Sequence, residues 1–297
     1  MIPVAFLGLG AIGTPMARHL VAPEFSLAVW NRTAVKAAAF ARQHGVRHAA
    51  SPADAVRGAD IVVTCLPTSK EVAALLDGPD GLLAGMAKGS VLVDCTSGDP
   101  ATTRHTAARL AERGIAFLDA PVSGGVAGAE IGTLTVMVGG DEQVLERALP
   151  VIDAFGEKIV HCGAIGSGSA LKAVNNALLA VHIWSTAEGL ATLAKAGVNA
   201  TVALDVINAS SGRSNTSMNL FPNRVLSRAW PRTFRLALLD KDVGIAAQVA
   251  REQQVPSPLI QLTAELFTAA HRELGEEADH VEAAKVVERQ AGVEIRG

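Results

Sequence analysis

The sequence predicts an α/β chain in two parts: an N-terminal doubly wound (Rossmann) sheet over residues 1–163, and an all-α domain over 164–297 that begins with a long interdomain helix. Three observations carry that expectation. Short β-branched runs alternate with helical stretches through the first half, the pattern of βαβ units around a parallel sheet. A G-x-G-x-x-G loop follows the first of those runs at once. Beyond Gly166 the strand signals stop, and past its first turn a helix running to about Lys195 meets only Gly189 as a weak point.

Residues 2–7 read as the first strand, Gly8-Leu9-Gly10-Ala11-Ile12-Gly13 as the loop, and 14–21 as a helix. Glycines in that setting let backbone approach a pyrophosphate, which sits on the helix N-terminus. A merely structural turn does not account for three glycines at those offsets, so the loop is expected to bind a dinucleotide. The second strand, 26–30, ends in Asn31-Arg32-Thr33. A NAD-binding fold usually places an acid there, on the ribose 2′-hydroxyl. Asn31 removes the repulsion that an acid would exert on a 2′-phosphate, and Arg32 can grip that phosphate in a bidentate fork. The expected cofactor is therefore NADP, with NAD possible; the competing reading makes Arg32 a solvated residue at a helix start.

Further strands are expected at 61–66, 91–95, 115–118, 133–138 and 158–161, with helices at 34–44, 70–76, 101–113 and 141–155. Ligands collect at the carboxyl edge of such sheets. Leu66-Pro67 and Thr96 would lie there, the latter offering a hydroxyl beside the nicotinamide half. Asp119-Ala-Pro-Val-Ser123-Gly124-Gly125 is a third edge loop, with backbone N–H groups and a hydroxyl suited to a carboxylate. Ser-Gly-Gly is also ordinary turn chemistry.

The long helix has one unusual residue. Between Lys158 and Glu188 the only formally charged side chain is Lys172, set among residues apolar on almost every face. A helix of that kind is buried, and a buried ammonium is costly unless it is paired or loses its proton. Lys172 is thus a candidate proton donor, with Asn176 at i+4 on the same face; the alternative is a first helical turn open to solvent. The remaining helices are expected at 201–209, 214–226, 236–252, 257–274 and 280–290. Lys241-Asp242 falls among the apolar Val243, Ile245, Ala246 and Val249, again with an exposed first turn as the plainer reading.

A formal net charge of −3 and a pI near 6.2 argue against a nucleic-acid partner or a polybasic membrane binder. Cys65, Cys95 and Cys162 show no CxxC spacing and read as reduced core residues; no metal site is expected. Residues 1–7 are apolar but carry no basic leader, which points to a cytoplasmic protein. The best candidate for a membrane span is interrupted by Lys172, Asn175, Asn176 and His182, so no membrane association is expected. Alanine-rich faces in the helical part suggest a homodimer or homotetramer.

Four motifs stand in one order: Gly8-Leu-Gly-Ala-Ile-Gly-Thr-Pro-Met16, Asp119-Ala-Pro-Val-Ser-Gly-Gly125, Gly166-x-Gly-x-x-x-Lys172-x-x-Asn175-Asn176 and Lys241-Asp242. Together they resemble the β-hydroxyacid dehydrogenase family over essentially the whole chain. The resemblance implies that Lys172 is the catalytic acid/base, that Asn176 orients it and the substrate, and that Ser123, Gly124 and Gly125 hold a small substrate's carboxylate. It gives Thr96 and Lys241 to the cofactor. Trp30-Asn-Arg-Thr33 is similar to the NADPH-using glyoxylate and succinic semialdehyde reductases. Asn208-Ala-Ser-Ser-Gly-Arg213 is similar instead to the hydroxyisobutyrate and threonate branches. The implied reaction interconverts a small 3-hydroxy acid and its semialdehyde or keto acid. Competing readings are imine reduction or oxidation of a β-hydroxy amino acid such as serine on the same fold, and a nucleotide-binding regulatory protein that has lost catalysis.

Overall fold

The computed structural model describes all residues, 1–297, and divides into two compact units, Met1–Lys172 and Ala173–Gly297. The first unit starts with β1 (Ile2–Leu7), α1 (Gly13–His19), β2 (Phe25–Trp30), α2 (Ala34–His44), β3 (Arg47–His48), α3 (Pro52–Val56) and β4 (Ile61–Thr64). It continues with α4 (Ser69–Ala74), α5 (Leu82–Gly85), β5 (Val91–Asp94), α6 (Pro100–Ala111), β6 (Ala116–Asp119) and β7 (Val122–Ser123). The last elements are α7 (Gly125–Ile131), β8 (Leu134–Gly139), α8 (Glu142–Ile152), β9 (Gly156–Gly163) and the start of α9 (Ser167–Lys195).

The strands form one nine-stranded sheet in the order β3-β2-β1-β4-β5-β6-β8-β7, with β9 paired to β8. From β3 to β6 every pairing is parallel, as the alternation of strand and helix requires. Parallel strands are covered on both faces and so read as continuous apolar runs. Val63, Val93 and Phe6 pack on one side, and Val62, Leu92 and Leu7 on the other. The sheet turns antiparallel at β6–β8, where Asp119 pairs with Gly139, and at β7–β8. Side-chain caps mark several helix starts: Ser51 accepts from Asp54 N–H, Asp99 from Thr102 N–H, and Asp141 from Gln143 and Val144 N–H.

The second unit holds the rest of α9, then α10 (Ala200–Asn208), a π-helical segment (Thr216–Leu226), α11 (Leu236–Glu252), α12 (Pro258–Leu274), a 3₁₀ turn (His280–Glu282) and α13 (Ala283–Ala291). Ala177, Ile183, Leu190, Phe221, Leu239 and Phe267 meet in its core. The segment at 216–226 contains Pro222, which has no N–H to give to a regular α ladder. Asp279 pins that side of the unit. It accepts hydrogen bonds from the N–H groups of Thr233 and Phe234 and pairs with Arg224.

Two expectations about α9 change. It is not buried on every face: Leu171 and Leu178 are 46% and 49% exposed, and Asn175, His182 and Ser185 continue their stripe at three- and four-residue spacing. Leucines lie on the open face, and Lys172 and Asn176 on the covered one, so periodicity could not locate it. By length and hydropathy α9 also meets the requirements of a membrane span. Its buried Ala177, Ala180, Ile183 and Ala187 are packed in the helical core, the mark of a core helix.

Candidate active site

The three loop glycines hold three different positions. Gly8 has φ +110°, and a Cβ there would lie 2.2 Å from the Cys65 carbonyl oxygen. At Gly13 a Cβ would lie 1.9 Å from the Gly8 oxygen, so the loop closes only without a side chain. Gly10 faces open space, which leaves room for a ligand against backbone. This arrangement fits a dinucleotide pyrophosphate. Asn31 at the end of β2 steadies the loop: its Oδ1 accepts from Leu9 N–H (2.9 Å) and its Nδ2 donates to the Thr33 carbonyl (3.1 Å). Arg32 and Thr33 are exposed, and Arg32 forms no ion pair.

The edges of β4 and β5 are laced together. Leu66 N–H donates to Thr96 Oγ1 (3.0 Å), Thr96 N–H to Asp94 Oδ1 (3.1 Å), and Thr64 Oγ1 to the same oxygen (2.8 Å). Burial pushes the Asp94 carboxyl up to about 6, against the hydrogen bonds from Thr96 and Thr64 and with the Asp119 charge adding to the rise. Burial also pushes the Cys65 thiol up to about 12 and that of Cys95 well above its ordinary value, so neither is a thiolate at neutral pH. Because the Asp94 carboxyl is raised on folding, its share of stability is full below pH ~4 and lost as pH rises through about 6. That loss is worth about 3 kcal/mol at ~1.4 kcal/mol per pH unit. Asp94→Asn keeps an acceptor for both donors and should flatten this part of the stability–pH curve in denaturant titrations. An unchanged slope would place the buried proton elsewhere.

Ser123 lies in β7, opposite Thr135 of β8, and is half-buried; Gly124 (φ +137°) and Gly125 (φ +65°) are exposed beyond it. The loop expected here thus begins as a short strand whose pairing fixes Ser123. In α9, Lys172 is 8% and Asn176 4% exposed, one turn apart on a continuous helix. Asn176 Nδ2 donates to Asp242 Oδ2 (2.6 Å), and Lys241 Nζ pairs with Asp242 Oδ1 (2.9 Å). Asp242 is 2% exposed and joins Asn176 to Lys241. Sequence reasoning assigned no role to Asp242, Asp94 or Asp119. The available signal for Asp94 and Asp119 was a solitary acid at the end of an apolar run; Asp242 lay in the charged stretch Asp240-Lys241-Asp242 of an otherwise apolar helix. No group of three or more His, Cys, Asp or Glu side chains is arranged to hold a metal ion.

Two family models cover the chain: the NAD-binding domain of 6-phosphogluconate dehydrogenase over residues 3–163, and the NAD-binding domain of NADP-dependent 3-hydroxyisobutyrate dehydrogenase over 166–287. An NAD-dependent L-serine dehydrogenase from Pseudomonas aeruginosa is 39% identical over 90% of this chain and 91% of its own. The chain belongs to the β-hydroxyacid dehydrogenase family. A 3-hydroxyisobutyrate dehydrogenase from the same organism is 38% identical over 90% of this chain and 92% of its own. The solved Mycobacterium tuberculosis 3-hydroxyisobutyrate dehydrogenase with L-serine superposes with a TM-score of 0.88 at 32% identity, covering 97% of this chain and 99% of that one. Imine reductases such as that of Myxococcus stipitatus, at 18% identity and a TM-score of 0.64, share the fold alone. As a β-hydroxyacid dehydrogenase the chain is an oxidoreductase that binds a nicotinamide cofactor, and a purely regulatory role is set aside.

Proposed function

We propose that the enzyme interconverts a small 3-hydroxy acid and its semialdehyde or keto acid, prefers NADP(H), and uses Lys172 as general acid and base. The observation that carries this reading is Lys172 itself, nearly buried in a helix with no other formal charge between Lys158 and Glu188. The nicotinamide cofactor supplies or removes hydride at carbon. As negative charge grows on the carbonyl oxygen, a donor must stand within hydrogen-bond reach. The Lys172 ammonium gives that proton in the reductive direction, and the neutral amine takes it back in oxidation. Asn176 shares the face of Lys172 and addresses the same oxygen, its amide held by Asp242. Ser123, Gly124 and Gly125 hold the substrate carboxylate. Gly8–Gly13, Asn31, Arg32, Thr33, Leu66, Pro67, Thr96 and Lys241 serve the cofactor. Residues 1–163 form the cofactor domain, and residues 164–297 the domain for substrate and self-association. The open Leu171–Leu178 stripe supports a homodimer or homotetramer, and we place the enzyme in the cytoplasm.

A panel of 3-hydroxy acids and semialdehydes followed by NAD(P)H absorbance tests the reaction. L-serine belongs in it, because the relatives above include an L-serine dehydrogenase and a structure solved with L-serine. Turnover of L-serine alone would move the assignment to a β-hydroxy amino acid dehydrogenase. Turnover of cyclic imines with none of hydroxy acids would defeat both. The carboxylate assignment makes its own prediction. Methyl esters of good substrates should lose most of kcat/KM, since the donors of the 123–125 loop are left without a charged partner. Esters turning over as fast as acids would show that this loop does not hold the carboxylate.

A further inference from the structure

We infer that Asp119 is a positioning residue of the reaction: its carboxylate ties the loop that runs to Ser123-Gly124-Gly125 to the helix that carries Lys172, and places a negative charge behind that lysine. The inference rests on the role proposed for Lys172. Asp119 ends β6, opens the loop, and is 1% exposed. Both of its oxygens are spent on the first turn of α9: Oδ1 accepts from Gly166 N–H (2.7 Å) and Oδ2 from Ser169 N–H (2.8 Å). Those N–H groups have no partner within the helix, and the dipole of a 29-residue helix favours an anion at that end.

Glycines make room for the junction. A Cβ on Gly139, the β8 partner of Asp119, would lie 2.5 Å from Asp119 Oδ1. One on Gly168 would lie 2.2 Å from the Met137 carbonyl oxygen and 2.9 Å from that of Asp119. Gly166 takes φ +93°, a conformation that side chains rarely adopt. Side chains are thus absent wherever they would lift α9 away from this carboxylate. Lys172 follows Ser169 by three residues, about 4.5 Å along the axis at ~1.5 Å per residue.

The same contact therefore sets where Lys172 stands and puts a carboxylate at the N-terminal end of its helix. A buried negative charge keeps an ammonium protonated to higher pH. The other ionisable groups around Asp119 are Asp94 on β5, Cys162 on β9 and Arg104 on α6, beside Gly166. The Asp119 charge adds to the rise of both the Asp94 carboxyl and the Cys162 thiol, in each case behind the larger effect of burial.

Asp119→Asn removes the charge at nearly the same size and leaves one acceptor for the two N–H groups of Gly166 and Ser169. In variant protein shown to be folded by circular dichroism, the Lys172-dependent limb of kcat/KM against pH should move down by about one unit, and kcat should fall roughly tenfold. A purely structural aspartate would lower Tm and leave the limb in place. Asp119→Glu keeps the charge but lengthens the arm, so the limb should stay while kcat falls about as far; if the amide variant does not fold, this one decides, and wild-type kcat in it overturns the inference. Lys172→Ala is assayed alongside. Full turnover there removes the reading beneath the inference. An inactive Lys172→Ala beside an Asp119→Asn enzyme with wild-type limb and kcat removes the inference alone.

Discussion

Lys172→Ala is expected to lower kcat by roughly 10²–10⁴-fold, the usual contribution of a positioned acid or base, while cofactor affinity stays near that of the unaltered enzyme. The side chain is 8% exposed and sits on α9, away from the glycine loop in sequence, so its loss removes the proton route without touching the dinucleotide cradle. Cofactor fluorescence and steady-state turnover separate binding from chemistry. A variant that turns over within a few-fold of the parent would remove Lys172 from the mechanism.

The cofactor preference is the second large effect. Arg32 is exposed, engaged in no ion pair, and follows β2 directly, about where the adenosine 2′ position belongs. A charge-assisted hydrogen bond to a 2′-phosphate is worth about 1.5–3 kcal/mol, a preference of roughly 10- to 150-fold for NADP(H) over NAD(H). Exposure brings screening, so the value should lie toward the lower end and fall with added salt. Asn31→Asp combined with Arg32→Ser should reverse it. The aspartate still accepts the Leu9 N–H that now bonds to Asn31 Oδ1, but it cannot donate to the Thr33 carbonyl as Asn31 Nδ2 does, so NADH affinity of the variant is measured alongside. The measurement is kcat/KM for both cofactors with one good substrate. Equal values, or a preference for NADH, in the unaltered enzyme would show that Arg32 does not engage the phosphate.

Elements that announce themselves by period or by end signals were legible in the sequence. α2, α9 and α11 have the expected limits, because long runs of helix-compatible residues stop at Gly45, Gly197 and the polar stretch after Glu252. The short elements β3, β7, α3, α5 and α7 were not. Two to seven residues carry too little period to separate from a turn, and they exist because neighbours pair with them. The site divides in the same way. Gly8–Gly13 and Lys172 declare their chemistry locally. Asp94, Asp119 and Asp242 act through partners far off in the chain: Asp94 with Thr64, Asp119 with Gly166 and Ser169, Asp242 with Asn176. A lone acid after an apolar run names no partner until the fold supplies one.

The boundary between the compact units falls between Lys172 and Ala173, inside a single unbroken helix. The lysine belongs to the first unit and the asparagine one turn beyond it to the second, on one helix. Modular inheritance is closed to such a pair. Recombination at the boundary would have to preserve helical phase to the residue, because each single insertion rotates Asn176 by about 100° away from Lys172.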